Sequence, residues 1–548
     1  MINTKVKKVI GLNAGHDGGC ALCVDGKIIA HMAEERLVRV KYAYGWLNSL
    51  RYCLETSGYE LSDIDLAVFS DYSDKIGEKY DGGLSSFGFP REKCIRVDHH
   101  LSHACSAFFT SPFEKSLVFV FDARGNNQDT ESAYIAEENR IKKIGGNPLN
   151  NYEKGIVSAY QAFTAYFGWH QNEAGKTMGL APYGDPQKYS RWPIFNRNKN
   201  GLFSNNLLNH TADGLEGFCK KIKLKVPPKF GKDPMVYKDM ATWIQSEFER
   251  VVIEAIKRYQ QLTGLENLCM AGGGALNTVC NTKILQKTGF KKIHIFPAAG
   301  DPGQSIGNAF YGYHIYGDYQ RNKINVWKKD YRKNTYTSDD IQKALFSIQK
   351  ATNLVIPKSS NFIFKRVDNI TKATAKLIAE GKIIGWFQEG SEIGPRALGH
   401  RSILCDPRPE NMKDILNQKV KHRESFRPFA ASVLRSEVKN FFDFDIGSPF
   451  MLLVVPVKKE MRFRIPAVTH IDGTCRVQTV TKQDNDIYYD LINEFYRLTG
   501  IPLLLNTSFN LAGEPIVETP ADAIKCFLST QMDYLAIGDF LVSKCHQS

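Results

Sequence analysis

Near the N-terminus, apolar residues fall into short runs separated by glycine-bearing turns. Residues 9–12 read as a strand, Gly15-His16-Asp17-Gly18-Gly19 as a tight turn, and residues 20–24 as a second strand. Asp25-Gly26 is a hairpin signal, and residues 28–33 form a third strand-like run. The pattern returns at 117–121, then a polar turn over 122–130, then strands at 132–136 and 141–144 around a turn near Asn139. The two stretches repeat a topology rather than a sequence. Residues 186–236 are rich in Asn, Lys and Pro and weakly periodic, which predicts an excursion on a first domain. Residues 317–360 combine basic charge, a helical stretch at 338–349 and Pro357-Lys358-Ser359-Ser360, and they mark the domain boundary. Apolar periodicity resumes at 370–378, a strand follows at 382–387, and the last strand-like run is 534–542.

Two copies of strand-turn-strand-turn-strand, each followed by helical sequence, are what the duplicated actin, sugar-kinase and Hsp70-like architecture would give. The expected fold class is therefore α/β. A chain of 548 residues exceeds one core, so two domains are expected, at 1–350 and 351–548. Hydrophobic content of 43% and charged content of 24% are ordinary for a folded soluble protein. No apolar run approaches the roughly 20 residues of a membrane span. Met1-Ile2-Asn3-Thr4-Lys5 leads straight into a strand-like run, without the apolar core of a signal peptide, so the expected location is cytoplasmic, with no membrane partner.

Twelve cysteines are scattered without a framework, and the pair Cys20 and Cys23 lies in a strand pattern, so these read as small core residues. The excess of 71 Lys+Arg over 58 Asp+Glu gives +13. It reads either as a solvated Lys-rich surface or as the footprint of a polyanionic partner. Lys220, Lys221, Lys223, Lys225, Lys229 and Lys232 form one cluster; Arg321, Lys323, Lys328, Lys329, Arg332 and Lys333 form another. Phe218, Phe230, Tyr319, Trp327 and Tyr331 lie among them, which suits base stacking.

Asp98-His99-His100-Leu101-Ser102-His103 places His99 and His103 four residues apart, on one side of a helix. Such imidazoles either pack locally or share a metal. Asp122 ends an apolar strand, and Asp301 sits in the turn Gly300-Asp301-Pro302-Gly303. Two His with one or two Asp and open positions suit Fe(II), with Mn or Zn as alternatives. Gly272-Gly273-Gly274-Ala275-Leu276-Asn277 follows a strand, as does a nucleotide-approach turn or a plain strand-to-helix turn; the segment carrying Lys176 has the same ambiguity. Lys176, Gly273, Gly274 and Asn277 are the nucleotide candidates of the first domain, although no Walker A pattern is present. In the second domain Arg396, Arg401, Lys421, Arg423 and Arg427 cluster among Gly, Pro and Phe, with Arg476 and Asn506-Thr507-Ser508 further on. Guanidiniums bind phosphate bidentately, so this pattern points to an anion site.

The sequence resembles the O-carbamoyltransferases of antibiotic and nodulation-factor biosynthesis, tobramycin carbamoyltransferase among them. The resemblance spans essentially the whole chain. It is carried by Asn13-Ala14-Gly15-His16-Asp17, Ala33-Glu34-Glu35-Arg36, His99-His100-Leu101-Ser102-His103, Lys176-Thr177-Met178-Gly179-Leu180-Ala181, Gly394-Pro395-Arg396-Ala397-Leu398-Gly399, Arg423-Glu424-Ser425-Phe426-Arg427-Pro428-Phe429 and Asn506-Thr507-Ser508-Phe509-Asn510. It implies an actin-like first domain and a second α/β domain similar to threonylcarbamoyl-AMP synthase. It further implies that carbamoyl phosphate and ATP, with Mg2+, react in the second domain to give carbamoyl-AMP, phosphate and pyrophosphate. The carbamoyl group then passes to an acceptor hydroxyl at a metal site in the first.

On that pattern His99, His103, Asp122 and Asp301 are the metal ligands, and His16 or Asp17 takes the acceptor's proton. Arg396, Lys421, Arg427, Arg476, Asn506 and Ser508 hold carbamoyl phosphate and ATP. The chain departs from the pattern in its basic charge and in Pro302 and Gln304. The charge and the 218–232 cluster favour 5-hydroxymethylcytosine in DNA as acceptor by a narrow margin. A small-molecule hydroxyl, on an antibiotic, sugar or other natural product, is the alternative. A different class is a tRNA threonylcarbamoyl-modifying or nucleotide-binding partner protein.

Overall fold

The structure, a computed structural model, describes residues 6–72, 81–148, 151–198, 202–321, 336–355 and 362–545. The chain divides into two compact units, Met1–Glu34 with Tyr44–Val326, and Glu35–Ala43 with Trp327–Ser548.

The first unit is built by duplication. Strands β1 (Lys8–Asn13), β2 (Gly19–Val24), β3 (Lys27–Ala33), β4 (Leu66–Ser70) and β5 (Cys94–Val97) form a sheet ordered β3-β2-β1-β4-β5. Here β1–β2 and β2–β3 are antiparallel, and β1–β4 and β4–β5 parallel. The second sheet holds β6 (Lys115–Phe121), β7 (Asp129–Glu137) and β8 (Arg140–Pro148). After a short hairpin of β9 (Phe195–Arg197) and β10 (Phe203–Asn205), it is completed by β11 (Asn267–Ala271) and β12 (Lys292–Ile295). Its order, β12-β11-β6-β7-β8, repeats the first with the same senses of pairing. Two three-stranded meanders, each extended by two parallel strands, make the duplicated actin-like architecture expected from the apolar pattern.

β1, β4, β6 and β11 are buried almost throughout, which is why they read as continuous apolar runs. The helix Gln304–Phe310 crosses close to the first sheet. A Cβ on Gly11 would meet Ser305 O at 2.0 Å, and one on Gly307 would meet Ser102 O at 2.0 Å, so both crossings require glycine. Asn308 Nδ2 donates to Leu12 O and Ser70 Oγ, both at 2.8 Å, tying this helix to β1 and β4. The 186–236 excursion contains the β9–β10 hairpin and the helix Ala212–Lys221. All twelve cysteines are free thiols, with Cys20 and Cys23 buried in β2.

The second unit is α/β around one nine-stranded mixed sheet. Its strands are β13 (Phe362–Arg366), β14 (Ile384–Phe387), β15 (Arg401–Cys405), β16 (Ala430–Leu434), β17 (Leu453–Pro456), β18 (Thr474–Val480), β19 (Leu503–Ser508), β20 (Tyr534–Ile537) and β21 (Phe540–Lys544). The order is β13-β21-β20-β14-β15-β19-β16-β18-β17. The single run expected at 534–542 is a hairpin, because Gly538 (φ +55) and Asp539 turn the chain and β20 pairs antiparallel with β21. The expected division at 350/351 falls inside the helix Ser338–Val355. Ile341 and Leu345 of that helix lie in the second unit's core.

Candidate functional site

In the first unit Asp98 caps the helix His99–Phe109, accepting from Leu101 N at 2.8 Å. The helix turns His99 and His103 toward Asp122, just after β6, and Asp301, which opens the turn before the helix Gln304–Phe310. One ligand atom from each of the four lies within 4.8 Å of all the others. His103 Nε2 is 3.0 Å from Asp122 Oδ2 and 3.2 Å from Asp301 Oδ1. His99 Nε2 is 3.4 Å from Asp301 Oδ1, is buried, and makes no hydrogen bond of standard geometry. His100 turns away to Ser132 Oγ, 2.8 Å from its Nδ1.

Two carboxylates and two imidazoles neutralise one another here. Burial opposes charge on His99, but Asp301 and Asp122 outweigh it and push its pKa up to about 10. Burial and mutual repulsion oppose charge on the two aspartates, yet His103 and His99 hold Asp122 below the usual carboxylate range, and the same imidazoles with His16 lower Asp301. A divalent cation fits this donor set, taking the place of the protons. The unusual residues of the Asp301 turn have structural uses. Pro302 sits in its first positions, and Gln304 Nε2 donates to His99 O at 3.2 Å, bracing the ligand helix.

His16 meets the same centre. Its Nε2 is 3.2 Å from Asp301 Oδ2, and its Nδ1 is 3.0 Å from Asp17 Oδ2. The hydrogen bond to Asp17 is the largest influence on His16 and, against burial, raises its pKa to about 9. Asp17 itself is in the left-handed region, φ 56. Tyr72, two residues past β4, was not singled out by the sequence. Its hydroxyl donates to Asp301 Oδ2 at 2.9 Å and lies 3.1 Å from His16 Nε2. Its position beyond the carboxyl end of a parallel strand was the available signal.

The glycine turn lies beside the metal candidates. Gly272 has φ +91, and a Cβ there would meet Phe121 O at 2.3 Å; one on Gly273 would sit 3.4 Å from Asp122 Oδ1. Gly274 is buried against Phe121. Asn277 is committed locally: it caps the helix Thr278–Lys287 through Cys280 N and exchanges two hydrogen bonds with Gln245, at 3.0 and 3.1 Å. Lys176 pairs with Glu173 at 2.9 Å and lies over Trp169, while Met178 of the same helix reaches Thr278.

In the second unit Arg476 on β18 and Asn506 on β19 both register with Ala430 of β16, so they share one face. Arg396 lies in the loop from Gly394 to Gly399, whose two glycines have φ +93 and +98. Nε of Arg396 and Nε of Arg476 are buried without hydrogen-bond partners, as is Asn506 Oδ1. Burial first, and then neighbouring guanidiniums, lower Arg396 to about 10, Arg423 to about 9 and Arg476 well below its ordinary value. Arg427 contributes to each of these shifts. Lys421 Nζ is buried and saturated by neutral oxygens: Ser508 O at 2.7 Å, Asn510 O at 3.1 Å and Asn510 Oδ1 at 2.7 Å. Ser508 Oγ lies 3.4 Å from the same ammonium. Half-buried guanidiniums gathered around the buried Lys421, with Glu424 the carboxylate beside Arg427, suit a bound polyanion such as a phosphate ester. Arg401 is a core residue instead, stacked 3.6 Å from the Phe387 ring and donating to Gln388 O.

Two family models match the chain, the carbamoyltransferase N-terminus over residues 8–86 and 87–310 and the carbamoyltransferase C-terminus over 375–544. An uncharacterized protein of Synechocystis sp. is 35% identical over 609 aligned positions, covering 98% of this chain and 97% of its own length. Nodulation protein NolNO of Sinorhizobium fredii is 35% identical over 558, covering 96% of this chain and 79% of its own. Among solved structures, full-length HypF in its phosphate- and nucleotide-bound form is similar over 57% of this chain and 56% of its own, with 12% identity and a TM-score of 0.35. The chain belongs to the carbamoyltransferase family.

Proposed function

From that membership, we propose that the protein is an ATP-dependent O-carbamoyltransferase whose two units run separate half-reactions. In the second unit, water cleaves carbamoyl phosphate to carbamate and phosphate. A carbamate oxygen then attacks the α-phosphorus of ATP, giving carbamoyl-AMP and pyrophosphate. Arg396, Arg427 and Arg476 bind the phosphate charge, Lys421 adds its positive field from behind Ser508 and Asn510, and Asn506 and Ser508 orient the bound groups. In the first unit an acceptor hydroxyl attacks the carbamoyl carbon and AMP leaves. His16, held by Asp17, moves the acceptor's proton at Nε2. A divalent cation, Fe(II) by ligand type, held by His99, His103, Asp122 and Asp301, would supply Lewis-acid polarisation of carbamoyl or phosphate oxygens. Gly273, beside Asp122, leaves room for the adenylate, with Lys176 as a nucleotide contact.

The observation that carries this reading is the pairing, in one chain, of a cation nest with a His-and-Asp cluster suited to a metal. The acceptor is a hydroxyl on a small molecule. Part of the basic surface that favoured DNA is committed within the chain: Lys229 pairs with Asp213 and Glu216, Lys220 pairs with Glu216, and Phe218 is buried. Lys323, Lys328, Lys329, Arg332 and Lys333, with Trp327 and Tyr331, lie outside the described residues. The test is mass spectrometry of products from carbamoyl phosphate, ATP and Fe(II) with a panel of sugars and other alcohols and with hydroxymethylcytosine DNA. A carbamoyl mass gain on a small alcohol supports the reading, and a gain on DNA alone reverses the choice of acceptor. Pyrophosphate release that requires threonine would replace it with threonylcarbamoyl chemistry.

A further inference from the structure

Ala33-Glu34-Glu35-Arg36 is a sequence mark that neither half-reaction uses. Glu35–Ala43 nevertheless belongs to the second unit, far from it in sequence. Resting on the activation chemistry proposed for that unit, we infer that this arm is a working part of its anion site, with Arg36 and Arg39 as positioning residues.

Arg36 is buried, and its Nη2 donates to Gly394 O at 3.0 Å, two residues before Arg396. The last three loop carbonyls are taken by side chains from the sheet. Asn506 Nδ2 donates to Ala397 O at 3.1 Å, Gln478 Nε2 to Leu398 O at 2.9 Å and Trp386 Nε1 to Gly399 O at 3.0 Å. Glu392 Oε1 accepts from Leu398 N at 2.6 Å. The C-terminal half of the loop is therefore fixed by its own sheet, and its start is fixed by Arg36. Arg36 Nη1 also faces the buried Glu518 carboxylate at 4.0 Å.

Arg39 braces the other wall. It donates to Ile516 O at 2.6 Å and Pro515 O at 2.9 Å. The adjoining Glu514 O accepts from Asn510 Nδ2 at 2.7 Å, and Asn510 Oδ1 accepts from Lys421 at 2.7 Å. Arg36 thus reaches Arg396 through Gly394 and Pro395, and Arg39 reaches Lys421 through Pro515, Glu514 and Asn510. Lys41, from the same arm, lies near enough to Lys421 to add to the positive field there. Positioning of this kind acts on the geometry of phosphate contacts, where small displacements are costly.

The test uses the full chain with Arg36→Met, Arg36→Lys and Arg39→Met. Two readouts are taken: calorimetric binding of inorganic phosphate, and KM for carbamoyl phosphate in ATP–pyrophosphate exchange. Arg36→Met is expected to weaken both about tenfold or more, with iron content of the first unit unchanged. Arg36→Lys, which keeps one donor for Gly394 O, recovers to within about threefold of wild type, and Arg39→Met loses about threefold. Wild-type values in folded Arg36→Met overturn the inference. If that variant does not fold, wild-type values in both Arg36→Lys and Arg39→Met overturn it. A wild-type chain that binds phosphate but shows no exchange defeats the activation reading instead, and the phosphate affinities of the variants still decide the arm's role.

Discussion

The two candidate centres have opposite electrostatics. In the first unit His99 and His103 face Asp122 and Asp301, so the buried charges cancel before any ligand binds. In the second, burial and then neighbouring guanidiniums depress the pKa of Arg396, Arg423 and Arg476, with Arg427 acting on all three and Glu424 beside Arg427 as a partial offset. A self-neutralised cluster exchanges protons for a metal and is stable without it. A cation nest stores repulsion that an arriving anion relieves. Removing one member should therefore change ligand-free stability in opposite directions at the two sites.

The largest effect is expected from His103→Ala. It leaves the two buried aspartates with His99 and, at Asp301, His16, so metal binding is lost, carbamoyl transfer falls about 10³-fold, and the unit loses about 3 kcal/mol. Iron content, product formation and calorimetric unfolding check this. Arg476→Met should weaken phosphate binding about 10²-fold yet raise ligand-free stability by about 1 kcal/mol. A fall in stability at both sites would erase the contrast. Tyr72→Phe removes the hydroxyl that donates to Asp301 and should weaken metal binding about tenfold with exchange unchanged, as read by chelator competition.

A pH dependence accompanies these effects. The folded-state pKa of His99 is raised from 6.5 to about 10, so its stabilising pairing is complete below pH 6.5 and is lost as pH rises toward 10. Metal-stripped protein should lose about 1.4 kcal/mol per pH unit in that window for each such proton, and metal-loaded protein should lose less. Unfolding midpoints measured from pH 6 to 10 with and without metal decide it.

The first unit was legible because its meanders are short apolar runs broken by glycine turns, and because an i, i+4 histidine pair and strand-end aspartates are local patterns. The same was true of the cations around Arg427. Tyr72 carries no spacing of its own, and its role appears only when the end of β4 meets Asp301. Membership of Glu35–Ala43 in the second unit was illegible for a different reason. Arg36 and Arg39 bind backbone carbonyls, which leave no side-chain signature in the partner sequence. Arg401 looked like another phosphate ligand because charge alone does not distinguish a core guanidinium stacked on Phe387 from one facing a cavity. The run at 534–542 hid its turn, since Gly538-Asp539 interrupts apolar residues only briefly.

The most direct test of two separable centres is carbamoyl-phosphate-dependent ATP–pyrophosphate exchange in His103→Ala and Arg476→Met, side by side. The account predicts exchange near the wild-type rate in the first variant, without transfer product, and exchange lost in the second. Loss of exchange in a folded His103→Ala chain would contradict it.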